Sequence, residues 1–225
     1  MSRDEAHYPA HYPAFYEDAQ GREAATIEND GATLRVTLRG VVYSGADFDL
    51  LEPEPEQLEA ARSAFTLNHG VLCACSLTWE MPLTLLVGGH RGEGLLRARL
   101  HLGGPAANGG IDAERLALEL ETPRGVARSG GETGYFEDEL AELTADLPRD
   151  VALVSCFSCG LSDYSPAGHG LFGDLACFRD TPEAYARVRS KHDLFDLWEQ
   201  SAGLVQETHL CPMWRPRAPD TGYRG

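Results

Sequence analysis

Cys156, Cys159, Cys177 and Cys211 stand in the last third of the sequence, in the order C-x2-C, C, C. A thiolate is a soft metal ligand, and two cysteines separated by two residues can wrap one ion. Gly160, directly after the pair, lets backbone N–H groups turn toward the sulfurs. This pattern predicts a Zn2+ site built from all four thiolates. A usual ribbon has a second C-x2-C; here Cys177 and Cys211 would arrive singly, one at the end of a strand-like run and one after a C-terminal strand. His169 or His192 in place of one cysteine would preserve the zinc geometry, and the spacing leaves that open. It also leaves open whether the zinc is structural or catalytic. Four thiolates overcompensate a divalent ion, a charge that Arg179 or Lys191 could offset. A structural site contributes roughly 10–16 kcal/mol in small zinc peptides, so its loss is expected to unfold the C-terminal third.

Competing chemistries use the same residues. A dithiol redox pair would want Cys156 at a helix N-terminus, where the dipole lowers a thiol pKa, but the residues after Gly160 read as a loop. A nucleophilic Cys156 assisted by His169 and Asp163 or Asp174 is a second option. Glycine and proline between residues 162 and 174 predict an exposed recognition loop with Asp163, Tyr164 and His169 as contact residues. Cys73 and Cys75 lie in the most apolar stretch of the chain and are read as core, because free cysteine is among the most buried residue types.

The elements that must position these residues are mostly strands. In 34–39 the sequence Leu-Arg-Val-Thr-Leu-Arg alternates apolar and polar side chains, as a half-buried strand does. Asn29-Asp30-Gly31 and Asn108-Gly109-Gly110 read as turns between antiparallel strands. Leu58 and Ala61 within 53–64, with Phe65 just after, recur at helical spacing. A second helix is expected over 135–147, its acids Glu137, Asp138 and Glu139 complementing the positive end of the dipole. The glycines of 129–134 before it are turn residues. Val151 to Val154 is a short buried strand delivering the chain to Cys156. Thr181-Pro182-Glu183 opens a helix with threonine as cap, further helix runs to about Gly203, and 205–210 forms a last strand. The tandem His7-Tyr8-Pro9-Ala10, His11-Tyr12-Pro13-Ala14 reads as part of a loose arm.

The fold class that follows is α+β: an N-terminal antiparallel β-sheet or sandwich with a C-terminal zinc-ribbon-like α/β unit. The divisions are a flexible N-terminal arm over 1–20, a β-rich domain over 21–134, and a cysteine-rich α+β unit over 135–225 packed on it.

At 225 residues the chain can bury a substantial core. With 35 acidic against 19 basic side chains it carries a net charge of −16, which repels a phosphate backbone. Nucleic acid is therefore not expected as a partner, and another protein is. The start has neither a basic n-region nor an apolar h-region, and no stretch approaches the roughly 20 apolar residues of a membrane helix. A cytoplasmic protein without membrane contact is the expectation.

The segments Cys156-Phe-Ser-Cys-Gly-Leu-Ser-Asp-Tyr-Ser-Pro-Ala-Gly-His-Gly-Leu-Phe-Gly-Asp174, Cys177-Phe-Arg179 and Gln206-Glu-Thr-His-Leu-Cys-Pro212 resemble the signature of an uncharacterised bacterial family, common in actinomycetes. Asn68-His-Gly70, Leu72-Cys-Ala-Cys75 and Tyr135-Phe-Glu-Asp-Glu-Leu140 extend the resemblance over nearly the whole chain. It implies that the four cysteines act as one unit and brings no activity with it. Three functions stay in view. The first is a non-enzymatic, zinc-containing protein-binding module. The second is an enzyme using Cys156 or the zinc with His169. The third is an acidic, immunity-like partner of a basic protein.

Overall fold

The computed structural model describes residues 8–224. Strands β1 (Ala10–Asp18), β2 (Gly21–Asn29), β3 (Leu34–Leu38), β4 (Val41–Gly45) and β5 (Glu52–Pro53) form an antiparallel meander. Helix α1 (Leu58–Ala64) and a hairpin of β6 (Thr66–Asn68) and β7 (Val71–Cys73) lead into two long strands, β8 (Cys75–Val87) and β9 (His90–Leu102). Next come β10 (Glu114–Thr122), β11 (Gly125–Arg128), helix α2 (Phe136–Asp146) and β12 (Val151–Val154).

All of these strands but β6 and β7, which pair only with each other, make one ten-stranded sheet in the order β11-β10-β9-β8-β1-β2-β3-β4-β5, with β12 also on β8. One edge of β8 is divided between two partners, β1 beside Ser76 to Trp79 and β12 beside Thr84 to Val87. The predicted alternation is present: Leu34, Val36 and Leu38 are buried while Arg35 and Thr37 are exposed. On β8 the alternate residues Cys75, Leu77, Trp79, Met81, Leu83 and Leu85 all face the core. Both asparagine turns join antiparallel strands as expected. Asn29 Oδ1 accepts from the Gly31 N–H and Asn108 Oδ1 from the Gly110 N–H.

At the centre, Trp79 stacks on Phe48 at 4.0 Å, and Phe48 also meets Phe136 and Phe172. Those rings come from the sheet, the loop after β4, the start of α2 and a loop near residue 172. One aromatic cluster thus ties the sheet to the segment that follows it.

A smaller antiparallel sheet of β13 (Ser162–Asp163), β14 (Leu175–Cys177) and β15 (Leu204–Val205) completes the strands. Helices α3 (Pro182–Tyr185) and α4 (Lys191–Leu197) pack Tyr185, Val188, Leu194 and Leu197 with Ala176 and Phe178 in a second core. The chain is therefore α+β, dominated by antiparallel sheet. No helix among the described residues is long and apolar enough to cross a membrane.

Several expectations need correction. The arm expected over 1–20 is, from Ala10 to Asp18, the strand β1 in the middle of the large sheet. Its prolines exclude a helix but not a strand, and pairing with β8 begins at Ala14, just after Pro13, which has no N–H to give a ladder. His7 lies outside the described residues. The last strand stops at Val205 because Gln206 and Glu207 turn inward and are buried. Thr181 makes no capping bond, and it is Ser190 that caps a helix, accepting from the Asp193 N–H at the start of α4. The expected 135–225 unit shares its core with the sheet, since Phe136, Leu140, Leu153, Phe157, Tyr164 and Phe172 belong to the same apolar cluster as Trp79.

Candidate functional site

Three stretches of backbone assemble the cysteines. The turn from Cys156 to Cys159 closes on itself, the Cys159 N–H donating to the Cys156 carbonyl at 3.2 Å. The C-terminal segment runs alongside: the Cys156 N–H donates to the His209 carbonyl at 2.7 Å and the Gly160 N–H to that of Arg215 at 2.9 Å. Pairing of Ser162 with Cys177 brings in β14. Gly160 packs close against the C-terminal segment, since a Cβ there would sit 3.0 Å from the Pro216 carbonyl oxygen.

The sulfurs act on one another. Interaction with the Cys211 thiol, burial, and the nearby Cys159 and Cys177 thiols hold Cys156 far above its usual range. Cys211 is correspondingly pushed down, first by Cys156 and against its own burial. The N–H groups of Met213 and Trp214 and the nearby Arg179 add to the effect. Cys177 is pushed up by burial, opposed by the Arg179 N–H on its sulfur and by the Arg179 charge. Arg179 therefore stands where the sequence placed an offsetting cation, whereas Lys191 lies over the Phe195 ring on α4.

The four thiols are soft donors of the kind that thiolate metal sites use. As the side chains stand, no group of three or more His, Cys, Asp or Glu among the described residues is arranged to hold a metal ion. All six cysteines are free thiols. Cys73 and Cys75 are buried, and Cys75 is raised to about 12 chiefly by that burial.

Neither histidine joins the thiols. His169 Nε2 sits 2.7 Å from Glu137 Oε2, and Nδ1 is 2.8 Å from the Gly170 carbonyl oxygen. Both ring nitrogens are committed to acceptors, and the bond to Glu137 raises the pKa of His169 above that of a free imidazole. His192 is exposed on α4, 3.7 Å from Asp196 one turn on.

The loop expected to display Asp163, Tyr164 and His169 instead buries two of them. Asp163 is 0 % and Tyr164 3 % exposed. Asp163 lies within reach of Arg224 Nε at 3.4 Å and accepts from the Tyr185 hydroxyl and the Tyr223 N–H, because a carboxylate taken from water needs replacement donors. Tyr164 donates to Glu207 Oε1 at 3.0 Å and packs against the His169 ring. Glu207 also accepts from the Gly173 N–H, and its complete burial raises its pKa to about 7. Asp47 accepts from the Phe172 N–H and is pushed up by burial and by the charge of Asp49. Glycine and proline here let the loop fold inward.

Sequence reasoning missed Glu207, Arg217 and Arg224. They lie in C-terminal stretches without periodicity, and only proximity in space relates them to residues 156–174.

The arrangement defines an antiparallel α+β protein whose C-terminal part is gathered around a cluster of thiols and a buried polar network. Comparison with family models matches residues 10–162 to a family of unknown function (DUF6304). The match spans the large sheet, α2, β12 and the turn with Cys156 and Cys159, so the chain belongs to this family. No curated protein and no solved structure gives a match.

Proposed function

We propose that the protein is a non-enzymatic binding protein whose C-terminal part is fastened by a structural Zn2+ on Cys156, Cys159, Cys177 and Cys211. The observation that carries this reading is the backbone around the sulfurs. The Cys156 N–H bonds to the His209 carbonyl, the Gly160 N–H to that of Arg215, and Ser162 pairs with Cys177, so the C-terminal segment and β14 are both held against the turn that carries Cys156 and Cys159. Binding would require the side chains to rearrange on this frame, since the thiols as they stand form no metal-holding group among the described residues. Bound there, zinc would hold the thiolates in place and cross-link the turn at 156–159, β14 and the C-terminal segment.

A binder is favoured over an enzyme by the state of the candidate catalytic groups. Cys156 is 3 % exposed, so its sulfur is not open to a substrate. His169 has both nitrogens engaged. Elemental analysis of the purified protein tests the metal: one zinc per chain is expected, with Cys159→Ser lacking it and cleaved readily beyond about residue 150. Wild-type protein free of zinc after preparation without chelators would refute the assignment.

A further inference from the structure

A cleft of about 550 Å3 opens between α2, β12 and the C-terminal segment, on the outer side of the turn that carries Cys156 and Cys159. Its walls are apolar, formed by Leu86, Leu147, Val151, Leu153, Phe157 and Trp214. Its volume and lining are those of a small-molecule pocket, mostly hydrophobic with a few convergent polar groups. The polar groups are Glu137, Ser158, Arg217 and Arg224.

The charges there do not cancel. Glu137 is already engaged with His169. Against the two arginines stands one further carboxylate, Asp163, fully buried and 3.4 Å from Arg224 Nε, while Arg217 has no ion pair among the described residues. Their remaining bonds go to neutral acceptors: Arg217 to the carbonyls of Thr221 and Ser162 and to the Tyr185 hydroxyl, Arg224 to the carbonyls of Phe157 and Ser162. The Nε atoms of both arginines are buried without a hydrogen-bond partner. The Arg224 side chain is only 13 % exposed and lies over the faces of Phe157 and Tyr164 at 5.2 and 4.9 Å. A guanidinium cannot shed its proton to relieve such burial, so an anion in the cleft would add a second negative charge beside Asp163 to balance the two arginines.

We infer that this cleft binds a carboxylic acid with an apolar body, such as a medium-chain fatty acid, its carboxylate on Arg224 and its chain along Leu86, Val151 and Trp214. One carboxylate balances the single uncompensated positive charge; a phosphate monoester, with nearly two charges, would not. The apolar walls leave little else for the rest of the ligand to contact. This deepens the reading of the protein as a binder by naming what it binds, and rests on that reading, though not on the zinc.

Isothermal titration of the full chain with octanoate, octylamine and octan-1-ol tests it. Octanoate should bind saturably at one site, with the amine and the alcohol at least tenfold weaker. Arg224→Gln should weaken octanoate at least tenfold. Ala141→Phe, on an exposed position of α2 that lines the cleft, should do the same by filling it, with the melting temperature held. The inference is overturned if wild-type protein shows no saturable octanoate binding to millimolar concentration, if octylamine binds equally well, or if folded Ala141→Phe keeps full affinity. Should Arg224→Gln not fold, the ligand series and Ala141→Phe still decide. Zinc content measured on the same samples separates the two proposals: failure of binding with metal present sinks the carboxylate site alone, and binding without metal sinks the zinc alone.

Discussion

Glu207 should make the protein less stable as pH rises through the neutral range. Its carboxyl is completely buried, accepts from Tyr164 and the Gly173 N–H, and titrates at about 7 in the folded chain against 4.5 when free. The folded state thus keeps its proton where the unfolded state has lost it. No cost arises below about pH 4.5; it builds between 4.5 and 7 and is constant above. A difference of this size corresponds to about 3 kcal/mol, and full burial leaves no solvent screening to discount. In a chain of this length it equals roughly 6–12 °C in melting temperature. The assay is thermal unfolding of wild type and Glu207→Gln from pH 5 to 8. The glutamine keeps the acceptor for Tyr164 but turns an N–H toward Gly173, a cost independent of pH. Wild-type stability relative to the variant should therefore fall steadily up to pH 7 and then level. Comparing the two proteins cancels titrations they share, including those of the thiols. A stability difference that stays flat from pH 5 to 8 would refute the reasoning.

Glu139 on α2 is buried and accepts from the Gly131 N–H, the Thr133 N–H and the Thr133 hydroxyl at 2.8–2.9 Å, so Glu139→Ala strands three donors. The expected loss is about 3–5 kcal/mol, read as a lower urea midpoint, with Glu142→Ala on the exposed side costing far less. Phe48→Ala removes the ring that touches Trp79, Phe136 and Phe172 and should cost about 3–5 kcal/mol by denaturant unfolding. Zinc loss in Cys159→Ser should be accompanied by protease cleavage confined to the chain beyond about residue 150, mapped by mass spectrometry of the fragments.

Legibility in the sequence followed the range of the interactions. Alternation in 34–38 and the two asparagine turns report local backbone preference, and both were visible because each needs only neighbouring residues. Helix α2 was placed to within a residue by its apolar spacing. The role of Glu139 was not, because its first-turn position explains an acid well enough without revealing three donors in the loop before it. The cysteines were found by type and spacing; that Cys211 comes near Cys156 depends on a C-terminal segment running beside the first turn.

By itself the sequence determined a sheet-rich α+β chain, the positions of the helices and of several strands, and a set of four thiols in its last third. Only the tertiary structure decided that 10–18 is a central strand, that Asp163 and Tyr164 are interior, and that Arg217 and Arg224 close one end of an apolar cleft. The physical reason is the same in each case. A strand's neighbours, a carboxylate's burial and a guanidinium's unmet acceptors are set by residues far away in the chain, and periodicity carries no record of them.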